Sequence, residues 1–89
     1  MDDALVAWDD EDDPDGNVAH IALHGLTPEE VEDVLLDPTS SRGFSRSSGL
    51  PCRFGHTHTG RHIVVIFSEE SDDPRVVRPV TAYDVPEPG

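Results

Sequence analysis

The sequence predicts an α+β fold, with a small antiparallel sheet of four or five strands and two short helices near the N-terminus packed on one face. Helical and strand patterns are segregated along the chain, which favours α+β over a parallel α/β arrangement. The run from Ile63 to Phe67 is apolar at every position, as is typical of a central strand covered on both faces. We expect residues 1–89 to form a single domain, with its core at about 4–85 and a loose C-terminal tail at 86–89.

A strand and a short helix are predicted at the start of the chain. The apolar run at 4–8 ends in an aromatic residue and indicates a strand, and segment 9–16, with its Pro and Gly, indicates an acidic loop. A helix is then expected from Asn17, a suitable N-cap, to Gly25, a suitable left-handed stop. Its predicted buried positions are Val18, Ile21 and Ala22.

A second helix is predicted at 28–36 by the strongest local signal in the chain. Thr27 suits the N-cap, Pro28 suits the first helical position, and Glu30 completes a capping box. The Asp-Pro pair that follows ends the helix, because the residue before proline avoids helical geometry. The predicted buried face consists of Val31, Val34 and Leu35.

The second half of the chain predicts strands only. Pro79 lies in the last of them and indicates an edge strand or a bulge, because proline cannot donate to a ladder. The predicted strands lie around Phe44, at 51–57, at 61–69 and at 75–85, with turns near Thr59–Gly60 and at 69–74.

The net charge of −13 is unevenly distributed. No acid stands between Thr39 and Ser68, although four of the six arginines and three histidines do. The overall charge argues against indiscriminate binding to nucleic acid or anionic lipid. The chain has no long apolar run and no basic N-terminal region, so we expect a cytoplasmic protein with no membrane partner.

Metal and nucleophile chemistry are weakly indicated. His56 and His58 share a face of one strand, and a two-residue turn at Thr59–Gly60 would place His58 opposite Arg61 and His62 on the other side. No Cys cluster accompanies these histidines, so no metal and no cofactor is predicted. Two further possibilities are a helical pair, His20 with His24, and a Cys52 nucleophile.

Phosphate chemistry fits the composition better. Arg53, Arg61 and Arg78 fall on three neighbouring predicted strands, where Tyr83 and the histidines could join them. Guanidinium forks match phosphate oxygens, and a histidine can move a proton near neutral pH. The alternative is structural, with Arg61 and Arg78 paired to acids on the helices.

Three separated stretches resemble the BrnT-like toxins of bacterial toxin–antitoxin systems. "WDDEDDPDGNVAHIALHGLTPEEVEDVLLDP" is similar to their Trp-Asp strand end, His-Gly helix end and acidic capped helix. "FGHTHTGRHIVVIF" resembles their Gly-x-Thr-x-x-Gly-Arg hairpin and apolar strand, and "RVVRPVTAYDV" resembles their last strand. The resemblance spans about residues 5–85. It implies a RelE/ParE-like fold and a small ribonuclease that arrests translation and is neutralised by an antitoxin.

By motif position the resemblance carries over Trp8, Arg61 and Arg78. In this hypothesis Arg61 and Arg78 hold phosphate, a histidine carries the proton, and an aromatic side chain stacks on a base. The predicted catalytic residues are Arg61, Arg78, His62 and His56, and the predicted substrate-binding residues are Trp8, Arg53 and Tyr83. The expected partners are a cognate antitoxin and possible RNA or ribosome targets.

A second hypothesis keeps the fold and drops the catalysis. Tyr83 stands where the resembling toxins carry an arginine, and the charge is unlike that of an RNA-cleaving protein. The chain would then be an acidic protein-interaction module. Its acidic N-terminal segment and carboxylate-rich helix would meet a basic partner, and the edge of the last strand could accept a partner strand.

Overall fold

The computed structural model describes residues 4–87 and forms a five-stranded sheet with two helices. The chain order begins with a short strand and both helices, followed by four strands in succession. The strand order across the sheet is β1-β5-β4-β3-β2. The elements are β1 (Leu5–Val6), α1 (Asn17–Ala22), α2 (Pro28–Leu35), β2 (Ser41–Phe44), β3 (Pro51–His56), β4 (His62–Asp72) and β5 (Arg75–Asp84).

The sheet is mixed, so the prediction of a purely antiparallel sheet is wrong at one strand pair. β2 to β5 are antiparallel neighbours joined by short turns, whereas β1 runs parallel to β5, with Leu5 opposite Val76 and Val6 opposite Val77. A short turn forces antiparallel pairing, but β1 reaches the sheet through a long path that includes both helices. The predicted five-residue first strand is also shorter, because only Leu5 and Val6 pair.

The last strand carries the bulge that Pro79 indicates, but the alternative, an edge strand able to accept a partner strand, is wrong, because β5 lies between β1 and β4. Ile66 pairs with Thr81 and Phe67 with Pro79, so Val80 is left over on β5. The β1 pairing covers only the N-terminal part of β5. Alongside its later residues lies α1, whose first residue, Asn17, donates from Nδ2 to the Pro79 carbonyl at 2.9 Å.

The segment 69–74, predicted as a turn, is strand up to Asp72. Glu69, Ser71 and Asp72 pair with β5, and a register shift between Glu69 and Ser71 leaves one residue over. The reversal is confined to the two residues between β4 and β5. Charged residues tolerate this strand because they stand on the solvent-exposed end of the β4–β5 ribbon.

The helix predictions are confirmed for α2 and shifted for α1. The Thr27 and Glu30 capping box forms as predicted. The N-cap of α1 is Gly16, because Asn17 turns its side chain inward and is buried. The helix ends at Ala22, which is exposed, and Gly25 follows with a φ of 71°.

Two apolar clusters lie on opposite faces of the sheet. The larger cluster fills the space between the helices and the sheet and includes all three residues of the predicted α2 face. The smaller one lies on the other face, which we call the open face because α1 and α2 do not pack on it. The open-face cluster consists of Cys52, Val64 and Ile66 with Leu50, Phe54 and Val85 packed around them.

No helix among residues 4–87 is long and apolar enough to span a membrane.

Candidate functional site

The connection between β3 and β4 sets the positions of most of the predicted site residues. It is closed by a hydrogen bond from Thr57 N to the Arg61 carbonyl at 2.9 Å, and Gly60 supplies the positive φ of 87° that the bend requires. A two-residue turn would have paired His58 with Arg61. The five-residue connection instead places His56 directly opposite His62.

Two contacts hold this connection against α2. Thr59 Oγ1 donates to Glu30 Oε2 at 2.6 Å, and His58 N donates to Asp33 Oδ2 at 2.8 Å. The Thr59 hydroxyl is the main cause that keeps the pKa of the buried Glu30 carboxyl below its usual value. The hydrogen bond and charge of Asp33 raise the pKa of His58. His58 therefore contacts α2 and does not lie with His56 and His62.

Arg61 makes four hydrogen bonds within the described chain through its guanidinium group. Its Nε donates to Asp84 Oδ1 at 2.9 Å, and its NH2 group also binds Asp84 Oδ2. NH1 donates to the Gly25 carbonyl at 2.6 Å and NH2 to the His24 carbonyl at 2.9 Å. Arg61 lowers the pKa of the Asp84 carboxyl. The side chain thus joins the start of β4 to the end of β5 and to the turn after α1.

Arg78 is paired in a similar way with Asp9. NH1 donates to Asp9 Oδ1 at 2.7 Å, and NH2 binds Oδ2, which also accepts from Asn17 N at 2.9 Å. The Arg78 hydrogen bonds, followed by the Asn17 amide, lower the pKa of Asp9 to about 2. Asp9 lies so close to Gly16 that a Cβ there would stand 2.7 Å from the Asp9 Cβ. The pair anchors the acidic loop to β5.

His56 and His62 come together on the open face. Their ring centroids are 4.8 Å apart. His62 Nδ1 lies 3.2 Å from the Val85 carbonyl, and His56 Nε2 lies 2.7 Å from Glu87 Oε1. Because both rings are bound to the segment after β5, they form a compact pair at one end of the sheet.

The two predicted aromatic residues lie on different faces. Tyr83 pairs with Val64, which is two residues from His62 and therefore on the same open face. Its ring centroid is 6.0 Å from that of His24, and the side chain is partly exposed. Trp8 packs against the helix-side core and donates from Nε1 to Glu32 Oε2 at 2.8 Å. Trp8 and Tyr83 therefore do not form one stacking platform.

Arg53 is buried on the helix side of the sheet, with 3% of its surface exposed. In register it lies opposite Val65, a residue of the helix-side core. NH2 donates to the Asp37 carbonyl at 3.1 Å, just beyond the end of α2. The Nε atom is buried and has no hydrogen-bond partner in the described chain.

The weaker candidates have structural contacts or no activating neighbour. His20 Nε2 lies 2.9 Å from Thr81 Oγ1, and the His20 and His24 rings are 5.9 Å apart. Within residues 4–87, no three His, Cys, Asp or Glu side chains form a group that could hold a metal ion. Cys52 is buried, and burial raises the pKa of its thiol, which disfavours the nucleophilic thiolate.

The structure therefore divides the seven predicted site residues. It brings His56, His62 and Tyr83 to the open face, and it engages Arg61 and Arg78 in separate carboxylate pairs. The carboxylates that hold these arginines, Asp84 and Asp9, were missed because the sequence predicts partners on the helices. Glu30 of α2 does approach Arg61, at 3.9 Å, but Asp84 is closer.

No protein-family model matches this chain, and comparisons with curated proteins and with solved structures find no match either. The resemblance to BrnT-like toxins therefore rests on the sequence motifs alone and stays a prediction. Two of those motifs touch in the folded chain, since Arg61 of the hairpin motif binds both carbonyls of the His24-Gly25 motif.

Proposed function

We propose that this chain is a non-catalytic, acidic protein-interaction module that keeps a fold like that of RelE/ParE-type toxins and binds a basic protein partner. One observation carries the proposal: the two arginines expected to hold phosphate, Arg61 and Arg78, are each engaged by a carboxylate through two hydrogen bonds. Their donors stabilise the fold, and a substrate phosphate would have to displace those carboxylates.

The hydrogen bonds of Arg61 and Arg78 also leave few donors for catalysis. Electrostatic catalysis of phosphate transfer needs donors that are preorganised and free to meet the developing charge. Arg61 has hydrogen bonds from Nε, NH1 and NH2, and Arg78 has them from NH1 and NH2. Bidentate arginine–carboxylate pairs are among the strongest polar contacts, so RNA would compete poorly for either side chain.

The acidic surface supplies the partner chemistry. Glu29 and Glu32 stand on α2 beside a shallow depression that also includes Asp33 and Asp37. The exposed loop before α1 adds a second group of carboxylates. A surface of one charge steers a partner of the opposite charge, with a rate that falls as salt increases. We therefore assign the acidic loop and α2 as the surface that meets a basic segment of the partner.

A binding experiment tests this assignment directly. The chain would be coexpressed with the protein products of the genes that flank its own, and copurified complexes would be measured at two salt concentrations. We expect a complex with a basic partner that is weakened by Glu11→Gln, Asp12→Asn and Glu29→Gln together. These three carboxylates accept no hydrogen bond among residues 4–87, so the fold should persist.

A matched control carries the same charge change elsewhere. Glu70→Gln, Asp72→Asn and Asp73→Asn together remove three negative charges from the distal β4–β5 ribbon. Equal weakening by both triple variants would show that only net charge matters, and the assigned surface would be wrong. Binding that is unaffected by either variant would contradict the role of charge altogether.

A second candidate function, the toxin-like ribonuclease, is favoured by the His56–His62 pair. Two imidazoles with ring centroids 4.8 Å apart on an open face could accept and donate protons to an RNA strand. Growth after tightly induced expression separates the two functions. Arrest by wild type that His62→Gln abolishes, at matched soluble levels and unchanged Tm, would overturn the non-catalytic proposal. Growth without arrest, and intact RNA after incubation with purified protein, would support the non-catalytic proposal.

A further inference from the structure

A cavity on the helix side of the sheet has an excess of positive charge. It has a volume of about 350 Å³ and lies where Phe67 and β2 to β5 approach the end of α2. Three arginines line it, and among the described residues that line it the only acid is Glu69, which is paired with Arg75. We call this feature the arginine pocket and define it by Arg42, Arg53 and Arg75.

Two of its arginines face each other across a strand pair. Arg42 of β2 is directly opposite Arg53 of β3 in the antiparallel register, so their side chains emerge on the same face. Like charges in directly opposed positions destabilise a sheet. Among residues 4–87, no carboxylate oxygen lies within 4.0 Å of either side chain. No close ion pair in the described chain offsets this repulsion, and Asp37 acts on Arg53 only from a longer distance.

Arg53 is the residue of the pocket that most lacks hydrogen-bond acceptors and a counter-charge. It is 97% buried, yet within residues 4–87 its Nε has no acceptor, and the one hydrogen bond that its guanidinium makes there goes to the Asp37 carbonyl. A buried unpaired charge is costly. Burial, followed by the charges of Arg42 and Arg75, lowers the pKa of Arg53, and the charge of Asp37 offsets only part of this. Asp37 is the acid that acts on Arg53, but its carboxylate forms no ion pair with it within 4.0 Å and accepts from Thr39 instead.

We propose that the arginine pocket binds a small phosphate dianion, either free phosphate or the phosphoryl group of a phosphomonoester. Several forked donors around one cavity match a tetrahedral oxyanion better than a planar carboxylate, which one arginine can already satisfy. The cavity also has apolar walls, formed by Phe44, Pro51 and Phe67, which give room for an organic group on the phosphate. This site is separate from Arg61 and Arg78 and does not depend on the proposed function.

The test is a titration of the full chain in phosphate-free buffer. Inorganic phosphate and uridine 5′-monophosphate would be added at constant ionic strength, with chloride and uridine as the matched blanks. Binding would be followed by calorimetry and by the rise in Tm that any ligand of the folded state produces. Saturable binding of phosphate is expected. Tighter binding of the nucleotide than of phosphate would identify a phosphomonoester, and equal binding would identify free phosphate.

Two variants with the same change in net charge distinguish binding at the pocket from a general effect of protein charge. Arg42→Gln should weaken phosphate binding at least about tenfold, as expected for loss of one charge-assisted hydrogen bond. Arg46→Gln makes the same charge change at a neighbouring exposed residue that does not line the pocket, and it should bind like wild type. Equal affinities for Arg42→Gln and wild type, or no saturable binding by wild type, would overturn the proposal.

Arg53→Met gives an independent measurement on the buried side chain. Replacing an unneutralised buried charge by an apolar side chain of similar length is often neutral or stabilising. Without phosphate, Arg53→Met should therefore melt no lower than wild type, and with phosphate only wild type should gain in Tm. A large loss of Tm in Arg53→Met at all phosphate concentrations would show that Arg53 is a structural cap for the α2 end, and this would overturn the proposal.

Discussion

At the scale of single residues, arginine is the informative type in this chain. The chain has no lysine, and its six arginines carry every basic side-chain charge apart from histidine. Arg61 and Arg78 are bidentate to carboxylates, whereas Arg53 is buried and hydrogen-bonds to no carboxylate among residues 4–87. The same residue type thus serves as a structural tether in two places and as the centre of a proposed anion site in a third. What separates these roles is whether a carboxylate lies within hydrogen-bonding distance of the guanidinium group.

Arg61→Ala should destabilise the fold, because it removes hydrogen bonds to two backbone carbonyls as well as to Asp84. We expect a loss of about 1–3 kcal/mol, and each kcal/mol corresponds to about 4–8 °C in the Tm of a domain of this size. Thermal unfolding followed by circular dichroism would measure it. Arg46→Ala is the control, since Arg46 is exposed on the turn between β2 and β3. Equal Tm values for both variants would mean that Arg61 does not hold the fold.

Asp9 should contribute stability that disappears in acid. Its pKa is lowered from 3.8 to about 2 in the folded chain, so the unfolded state binds the proton first as pH falls. The contribution is fully present well above pH 3.8 and is lost as pH falls through about 2. The Tm difference between wild type and Asp9→Asn should be constant near neutral pH and shrink between about pH 4 and pH 2.

The control for the acid experiment is Asp12→Asn. Asp12 lies in the same loop, but its carboxylate accepts no hydrogen bond among residues 4–87. Its Tm difference from wild type should remain small at every pH. A difference between wild type and Asp9→Asn that grows on acidification would contradict the assigned ion pair.

At the scale of elements, α2 is the part that organises the site. Its N-terminal capping box holds Glu30, and Glu30 in turn accepts from Thr59 of the β3–β4 connection. Farther along the helix, Asp33 binds His58, and beyond its end the Asp37 carbonyl binds Arg53. One short helix therefore positions both the hairpin connection and the arginine pocket.

Thr27→Ala should destabilise the protein by about 1 kcal/mol, the usual effect of losing an N-cap side chain. The Thr27 hydroxyl accepts from Glu30 N at 3.3 Å and its backbone N–H donates to Glu30 Oε1 at 3.1 Å. Denaturant unfolding would measure the loss. Thr27→Ser keeps the hydroxyl and should restore most of the stability; failure of that rescue would argue that the Thr27 methyl group, and not the cap, matters.

At the scale of the whole molecule, charge and compactness oppose each other. The radius of gyration is 12.2 Å, close to the value of about 12 Å expected for a compact chain of this length. Packing 19 acids against six arginines into that volume produces self-repulsion. Most carboxylates stand on the acidic loop, on α2 and on the distal β4–β5 ribbon.

Salt should therefore stabilise the protein. Raising NaCl from 10 mM to 500 mM shortens the screening length from about 30 Å to about 4 Å, which reduces the repulsion more than it weakens the few close ion pairs. We expect Tm to rise with NaCl at pH 7. The triple variant Glu11→Gln, Asp12→Asn and Glu29→Gln should show a smaller rise. A fall in Tm with salt would show that ion pairs outweigh repulsion.

The sequence predicted those elements whose signals are local. The α2 cap follows from hydrogen-bonding chemistry and its buried face from apolar spacing, both within a few residues, and both are confirmed. Of the two alternatives for Pro79, the bulge is confirmed and the edge strand is not. The β4 core run Ile63 to Phe67 is buried along its whole length, as predicted. The hairpin strands were predicted to within a few residues for the same reason, since turn and strand chemistry act over short distances.

Features that depend on distant pairing were not predictable from the sequence alone. Nothing local shows that β1 joins β5 in parallel or that Glu69 to Asp72 continue as strand. Among many acids the sequence does not indicate which one an arginine will meet, so Asp84 and Asp9 were missed. Candidate residue types were thus predictable, and their partners were not.

The sequence by itself determined the α+β class, the capped helix, the acidic character and the residue types available for chemistry, because these depend on composition and on neighbours along the chain. Only the tertiary structure decided what those residues do. It closes Arg61 and Arg78 into ion pairs, brings His56 beside His62, and leaves Arg53 buried near Arg42 and Arg75. The physical reason is that charge and hydrogen bonding act through space, over a few ångströms, between residues that lie far apart in the chain.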